Sequence, residues 1–373
     1  MITAIALVVV IVASLTGALL LLPKLARPTL PFGVRVPDSH VDAPVIKQAT
    51  RQYYRGVVQA MLVVAALLVA LAIVAATPAI ASIASFAALA AWLVPYLSAR
   101  RTVLAAKQSE GWYEGVRQTV AVETSLRTSP PPYPWLWAVP AIAVAAATVV
   151  IGVLVYPSLP DRIATNIGPD GPESFADTTV WSAFGLVGVQ VLVTGLLLGL
   201  VVVALRSKHE LAATSPQASA DQYRRYASAM AKSVLVLAAG MNLTMLMVAL
   251  IVWEVLPATT AWIILSTVPA LATAAVAVGV AIWAGQSGHR LRTTVPAELA
   301  SANTADRDDD AYWIAGLIYL NRDDPALWVP KRYGGVGWTI NLARPAAWVL
   351  TGAILALVLG GTIAAVIMSN SAG

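Results

Sequence analysis

The feature that most constrains this chain is a series of long apolar runs, the first of them ITAIALVVVIVASLTGALLLL at residues 2 to 22. A hydrocarbon core about 30 Å thick is crossed by roughly 20 residues of helix, and it holds no water to satisfy free backbone groups. Runs of that length occur near residues 2–23, 55–76, 79–98, 135–156, 180–205, 231–255, 260–285 and 345–368. The chain is 58% hydrophobic and 12% charged, with a mean hydropathy of +0.75, a balance that a soluble core of 373 residues does not need. The expected fold is all-α: a polytopic membrane helical bundle of about eight transmembrane helices with both termini extracytoplasmic.

Charge sets the expected orientation. Of the 24 Lys and Arg residues, 23 fall in or beside four alternate connections, at 24–55, 99–134, 206–232 and 286–344, and only Arg162 lies elsewhere. Cations gather on the cytoplasmic side of a membrane protein, so a misplaced span would scatter them over both faces. The net charge of +5 then belongs beside anionic inner-leaflet lipid, and no nucleic-acid partner is expected. Trp135, Trp137, Tyr156, Trp181, Trp253, Trp262 and Trp348 sit near span ends, where amphipathic rings anchor at the interface. The first run has no basic segment before it, so it is expected to remain as an uncleaved helix.

Five regions follow from this layout. Residues 1–134 hold three spans and two cytoplasmic loops, and 135–205 hold two spans around an acidic extracytoplasmic loop at 157–179. Residues 206–285 form a cytoplasmic helical extension and a two-span hairpin. Residues 286–344 form a cytoplasmic motif region, and 345–373 the last span and a short outer tail. The short outer links at 77–79 and 255–260 predict antiparallel hairpins. The second half of 206–232 is expected to prolong the sixth helix.

Catalytic chemistry has little to stand on. With no cysteine there is no thiolate or disulfide, and His40, His209 and His289 lack metal-ligand spacing. No His-Glu-x-x-His or Gly-x-Ser-x-Gly occurs. No Asp, Glu, Lys or Arg lies near a span midpoint, unlike the deep ionisable groups of ion pumps. Gln190, Asn242 and Thr244 are the deep polar residues and read as interhelical glue; Pro269 is the proline placed to open a cavity. No cofactor, metal or catalytic residue is expected.

The outer loop, YPSLPDRIATNIGPDGPESFADTT, is bounded by proline, turns through Gly168 and Gly171, and carries Asp161, Asp170, Glu173 and Asp177 against Arg162. It is expected to form a short structured cap. Its acidic residues offer oxygen ligands to a hard cation, but their irregular spacing favours a solvated acidic loop. The segment LPDRIATNIGPDGPESF resembles the signature of a bacterial membrane domain of unknown function shared with the SdpI-type toxin-immunity proteins. That signature runs Leu-Pro-x-x-Ile-Pro-Thr-His-Phe before a glycine-rich turn. Leu159, Pro160, Ile163, Thr165 and Gly171 match it, whereas Ala164 replaces the proline and Asn166 the histidine, which removes the basis for metal or proton chemistry at that position.

A second segment, DDDAYWIAGLIYLNRDDPALWVPKRYGGVGWTINLARPAAW at 308–348, resembles the C-terminal region that accompanies that signature in larger members of the same group. Its GGVGWT lacks the lysine of a phosphate-binding loop and does not fit Gly-x-Gly-x-x-Gly. Within it, WIAGLIYLN places Trp313, Leu317 and Leu320 at helical spacings behind Asp308 to Asp310, which predicts a short helix lying in the interface. Asn321, Asp323, Asp324 and Pro325 predict a turn, with Asp324 pairing to Arg322, Lys331 or Arg332. Pro345 suits the first turn of the following helix.

The resemblance implies a non-enzymatic protein of the bacterial cytoplasmic membrane, in toxin immunity or envelope sensing and signalling. Candidate recognition residues are Asp161, Arg162, Asn166, Asp170 and Glu173 outside, and Asp310, Trp313, Asn321, Asp324, Arg332, Gly337, Trp338, Asn341 and Arg344 inside. The expected partners are the lipid bilayer, a cytoplasmic regulator or membrane-protein partner, and a secreted peptide or toxin. A transporter or transporter accessory subunit is the alternative, and would show a polar cavity reaching midplane. An enzyme would need a cluster such as Asp324, Arg332, Asn341 and His40 at one surface.

Overall fold

The computed structural model describes residues 2–74, 80–119, 130–168, 171–207, 211–212, 215–293, 304–333, 337–353 and 355–356. Helix dominates: α1 (Ile2–Leu25), α2 (Pro44–Val74), α3 (Ile80–Ser109), α4 (Trp135–Val155), α5 (Val180–Leu205), α6 (Pro216–Val252) and α7 (Thr260–Ala284). All seven are long and apolar enough to cross a membrane. Residues 345–353 and 355–356 are helical, and the rest of the expected eighth span, 354 and 357 onward, lies outside the described residues. The all-α expectation is therefore met in the spans but misses the four two-stranded sheets found between them among the described residues.

Three helices overrun the apolar runs that foreshadow them. The 31 residues of α2 rise about 47 Å, so its first turns, with Lys47, Arg51 and Arg55, extend beyond a hydrocarbon core. The helix α6 starts at Pro216, which bears out the expected extension of the sixth span. At the other end of α3, Gly111 takes φ +58°, and the Trp112 N–H reaches back to Lys107 O at 3.2 Å. That closure satisfies helix-end carbonyls through a residue without Cβ.

The chain divides into two compact units, Met1–Glu123, Lys208–Gln222 and Gly285–Arg344 in the first, and Thr124–Ser207, Tyr223–Ala284 and Pro345–Gly373 in the second. In the first, α1, α2 and α3 pack pairwise. Gly56 of α2 faces Pro95 at the middle of α3, where an added Cβ would lie 2.8 Å from the proline ring. Only five residues separate α2 from α3 and the two helices pack extensively on each other, so they run antiparallel, as the short 77–79 link predicts. Tyr53 donates to Leu19 O at 2.8 Å and accepts from Trp92 Nε1 at 2.9 Å, joining all three helices. Outward side chains are apolar instead of polar, among them Leu62 (65% exposed) and Val94 (71%), the inversion expected of a bundle solvated by lipid.

In the second unit, α4 and α5 are antiparallel neighbours, and α6 lies along both. Thr148, Gln190, Thr194 and Asn242, all buried, bond to one another at the centre. Gln190 Nε2 donates to Thr148 Oγ1 at 3.1 Å and to Asn242 O at 3.2 Å. Thr194 Oγ1 donates to Asn242 Oδ1 at 2.9 Å, and Asn242 Nδ2 to Ala141 O at 2.8 Å. These groups are interhelical glue, as their sequence positions suggest. Pro269 sits against Gly240 of α6, and the Ala270 N–H donates to Thr244 Oγ1 at 3.2 Å. The proline's disturbance of α7 is thereby answered by a neighbouring helix.

Candidate functional site

The outer loop folds as a hairpin of β2 (Arg162–Gly168) and β3 (Gly171–Asp177) in antiparallel register, Arg162 opposite Asp177. Gly168 and Gly171 pair where the strands end, and Gly171 takes φ +127°, which glycine reaches without strain. Arg162 Nε lies 3.6 Å from Asp177 Oδ1, and Asn166 Nδ2 donates to Glu173 Oε2 at 2.7 Å, all on exposed surface. Asp170 lies outside the described residues. The hairpin is tied to α5: the Thr178 N–H bonds Asp161 O at 2.8 Å, and Ser182 Oγ donates to Asp177 O at 2.9 Å. Thr179 and Ser182 complete a reciprocal cap on the first turn of α5. The structured cap expected from the turn residues is present, and no carboxylate or histidine cluster able to hold a metal occurs among the described residues.

The inner motif region builds a second, denser site in the first unit. The strand β4 (Thr304–Asp306) pairs in parallel with β1 (Arg117–Thr119). It delivers four aspartates, Asp306, Asp308, Asp309 and Asp310, to three buried cations from distant parts of the chain. Arg35 Nη1 lies 3.1 Å from Asp306 Oδ2, and Arg35 Nη2 3.3 Å from Asp309 Oδ1. Lys107 Nζ is 2.7 Å from both Asp308 Oδ2 and Asp310 Oδ2. Arg332 pairs with Asp309 and Asp310, and its guanidinium lies 5.3 Å from the centre of the Trp313 ring. Arg100, also buried, donates to the carbonyls of Phe32 at 3.2 Å and Gly33 at 2.6 Å.

Burial first, then the guanidiniums of Arg35 and Arg100, push the pKa of Arg332 down, while Asp308 pulls it up. A guanidinium starts so far above neutrality that it remains charged. Desolvation raises the hydroxyl pKa of Tyr113, which lies 4.8 Å below Lys107 Nζ by its ring centre, and of Tyr333, stacked 4.9 Å from Tyr96. The cluster spends its charges on one another: a strong positional lock, without a free base or nucleophile among these contacts.

The segment expected as an interfacial helix is instead a hairpin, β5 (Trp313–Ile314) with β6 (Ile318–Tyr319). Ala315 and Gly316 both take positive φ, +52° and +70°, and the Leu317 N–H bonds Ile314 O at 3.0 Å. That is the turn whose twist suits two antiparallel strands. It also lets Trp313 and Tyr319 face inward together, their rings 4.9 Å apart, which one helical turn could not do. A Cβ at Gly316 would come within 2.6 Å of Arg100 Nη1, so the turn docks on α3 only as glycine.

Beyond it, β7 (Trp328–Pro330) pairs with β8 (Trp338–Ile340). Trp338 of the glycine-rich stretch therefore lies in a β-strand, and 334–336 lie outside the described residues. Gly337, at φ +108°, accepts the Lys331 N–H through its carbonyl at 3.0 Å. Asn341, fully buried, pins the region: its Nδ2 donates to the carbonyls of Asn321, Asp324 and Ala326, and its Oδ1 accepts the N–H groups of Asn321 and Ala343. The Arg344 N–H bonds Asn341 O at 3.1 Å.

The expected turn at 321–325 is present, with the Asp323 N–H on Asn321 Oδ1 and the Ala326 N–H on Asp324 Oδ1. Asp324 accepts the Tyr319 hydroxyl at 2.9 Å, whereas Arg332 pairs with Asp309 and Asp310. Of the four residues suggested as a catalytic cluster, Asp324 and Asn341 meet, Arg332 serves the aspartates, and His40 stacks on Trp112 at 4.9 Å. Asp310, Trp313, Asn321, Asp324, Arg332 and Asn341 thus share one folded cap. Arg35, Arg100 and Lys107, which complete it, were not expected, because charge-rich loops read as juxtamembrane cations and carry no sign of their distant partners.

No curated protein and no solved structure matches this chain. Residues 322–348, which include Asp324, Arg332, Gly337, Trp338, Asn341 and Arg344 and lie inside the segment 308–348, match DUF5808, a family of unknown function.

Proposed function

We propose that this chain is a non-enzymatic multi-pass protein of the bacterial cytoplasmic membrane that acts in toxin immunity or envelope sensing. In this reading the β2–β3 hairpin faces outward and meets a secreted peptide or toxin, and the ion-paired cap faces the cytoplasm and meets a regulator or membrane-protein partner. The observation that carries it is the junction between the hairpin and α5. Exposed Asn166 and Glu173 sit on strands whose ends are hydrogen-bonded into the first turn of a membrane-length helix. A ligand that distorts the hairpin therefore bears directly on a rigid element able to cross the bilayer, which is the physical requirement for sensing.

A strain lacking the gene is challenged with membrane-active secreted peptides while envelope-stress transcription is followed. The expected result is loss of survival or of the transcriptional response, restored by the intact chain but not by a chain with Asn166→Ala and Glu173→Gln at equal membrane abundance. Unchanged survival and transcription in the deletion strain reject the proposal.

A further inference from the structure

The outer face of the β5–β6 hairpin is apolar where a water-facing strand pair would be polar. Ile314 and Ile318 are directly paired across the strands and are 55% and 42% exposed, and Leu320 beside them is 37% exposed. Strand alternation sends Trp313 and Tyr319 inward and this isoleucine pair outward. Trp328 and Ile340, paired in the neighbouring hairpin, join Ile318 in lining one open groove. A contiguous exposed apolar face on an otherwise charged cap marks a contact surface.

The level at which the hairpin docks identifies what covers that face. Tyr96 Oη donates to Ala315 O at 2.6 Å, so the hairpin tip is fixed to α3 at Tyr96. Two residues earlier is Val94, 71% exposed on the lipid-type surface of the bundle. Beyond Tyr96 the outward side chains of α3 turn polar, with exposed Ser98 and Arg101. The tip therefore sits where the apolar belt of the bundle ends.

We propose that the Ile314–Ile318 face of this hairpin is a lipid-binding surface, seated in the polar–apolar boundary of the bilayer, with Trp328 and Ile340 extending it. Exposed Arg101 and Arg322 supply cations for anionic headgroups nearby. The hairpin takes the place in the interface that its apolar residues would have held as a helix, and it couples the ion-paired cap to the lipid surface.

This inference rests on α1 to α3 crossing a bilayer. Because the chain has no cysteine, single substitutions Val94→Cys, Ile314→Cys, Ile318→Cys and Arg307→Cys can each be nitroxide-labelled in the full chain. The labelled proteins are placed in nanodiscs of phosphatidylcholine and phosphatidylglycerol, and collisions with oxygen and with a water-soluble nickel chelate are compared. The expected order of the oxygen-to-nickel ratio is 94 highest, 314 and 318 intermediate, and 307 lowest. Nickel contact at 314 and 318 equal to that at 307, or shielding from both reagents, overturns the lipid surface while a high ratio at 94 leaves the membrane reading intact. A low ratio at 94 overturns both.

Discussion

Lys107 and Asp310, 203 residues apart in sequence, meet at 2.7 Å beneath the cap, with Asp308 on the same ammonium. Lys107 is only 7% exposed, so the lysine left behind by a severed pair, or the aspartates left without it, would be uncompensated charges away from water. Lys107→Met is expected to cost about 3 kcal/mol, because breaking one side of a buried pair is far worse than replacing both. Limited proteolysis should then cut within 304–344 before the helical bundle opens. The double variant Lys107→Met with Asp310→Asn should recover part of the loss, and equal protease resistance in all three proteins would contradict the lock.

Gly316→Ala tests the docking of the hairpin tip on α3. The positive φ and the Cβ placed 2.6 Å from Arg100 Nη1 and 3.0 Å from Tyr96 Oη together predict a loss of roughly 1–3 kcal/mol. Hydrogen exchange should accelerate at Trp313 to Tyr319 and leave the middle of α2 unchanged.

In the second unit, Asn242 uses both ends of its amide, whereas Gln190 Oε1 accepts no hydrogen bond among the described residues. Asn242→Leu should therefore destabilise by about 1–2 kcal/mol, and Gln190→Met by less, since interhelical hydrogen bonds are worth on the order of 1 kcal/mol each. Reversible unfolding in detergent mixtures would measure both. A Gln190 variant as damaging as the Asn242 variant would mean that its amide oxygen has a partner.

His289 follows α7, with Nδ1 at 3.1 Å from Gln286 O. Burial, the largest cause, lowers its pKa from 6.5, with Arg27 and Arg290 adding to the effect against the bond to Gln286. The unfolded chain thus takes up its proton first as pH falls. The stabilising contribution is present above pH 6.5 and is lost as pH falls through the lower folded value. Melting temperatures between neutral pH and about pH 5 should fall more steeply for the parent chain than for His289→Asn, and parallel curves would count against this assignment.

The helices were legible because a 20-residue apolar run carries its own instruction: each backbone group bonds within the segment, and no partner need be known. Even so, Arg51 and Lys107, whose local sequence is that of charged loops, continue α2 and α3. The stretch 313–320 was misread because Trp313, Leu317 and Leu320 satisfy a helical period while Trp313, Ile314, Ile318 and Tyr319 satisfy a strand pair. Two-residue strands are too short for periodicity to decide. Asn321, Asp324 and Asn341 were recognisable as turn and motif residues, but their roles came from bonds that span up to 20 residues.

The sequence by itself determined the membrane-length helices and the confinement of nearly every cation to alternate connections, because both depend on residue-by-residue cost in lipid. Only the tertiary structure decided that Arg35, Lys107 and Arg332 are spent on Asp306, Asp308, Asp309 and Asp310. An ion pair is chosen by where the chain brings charges within a few ångströms, and pairing over more than 200 residues leaves no local trace.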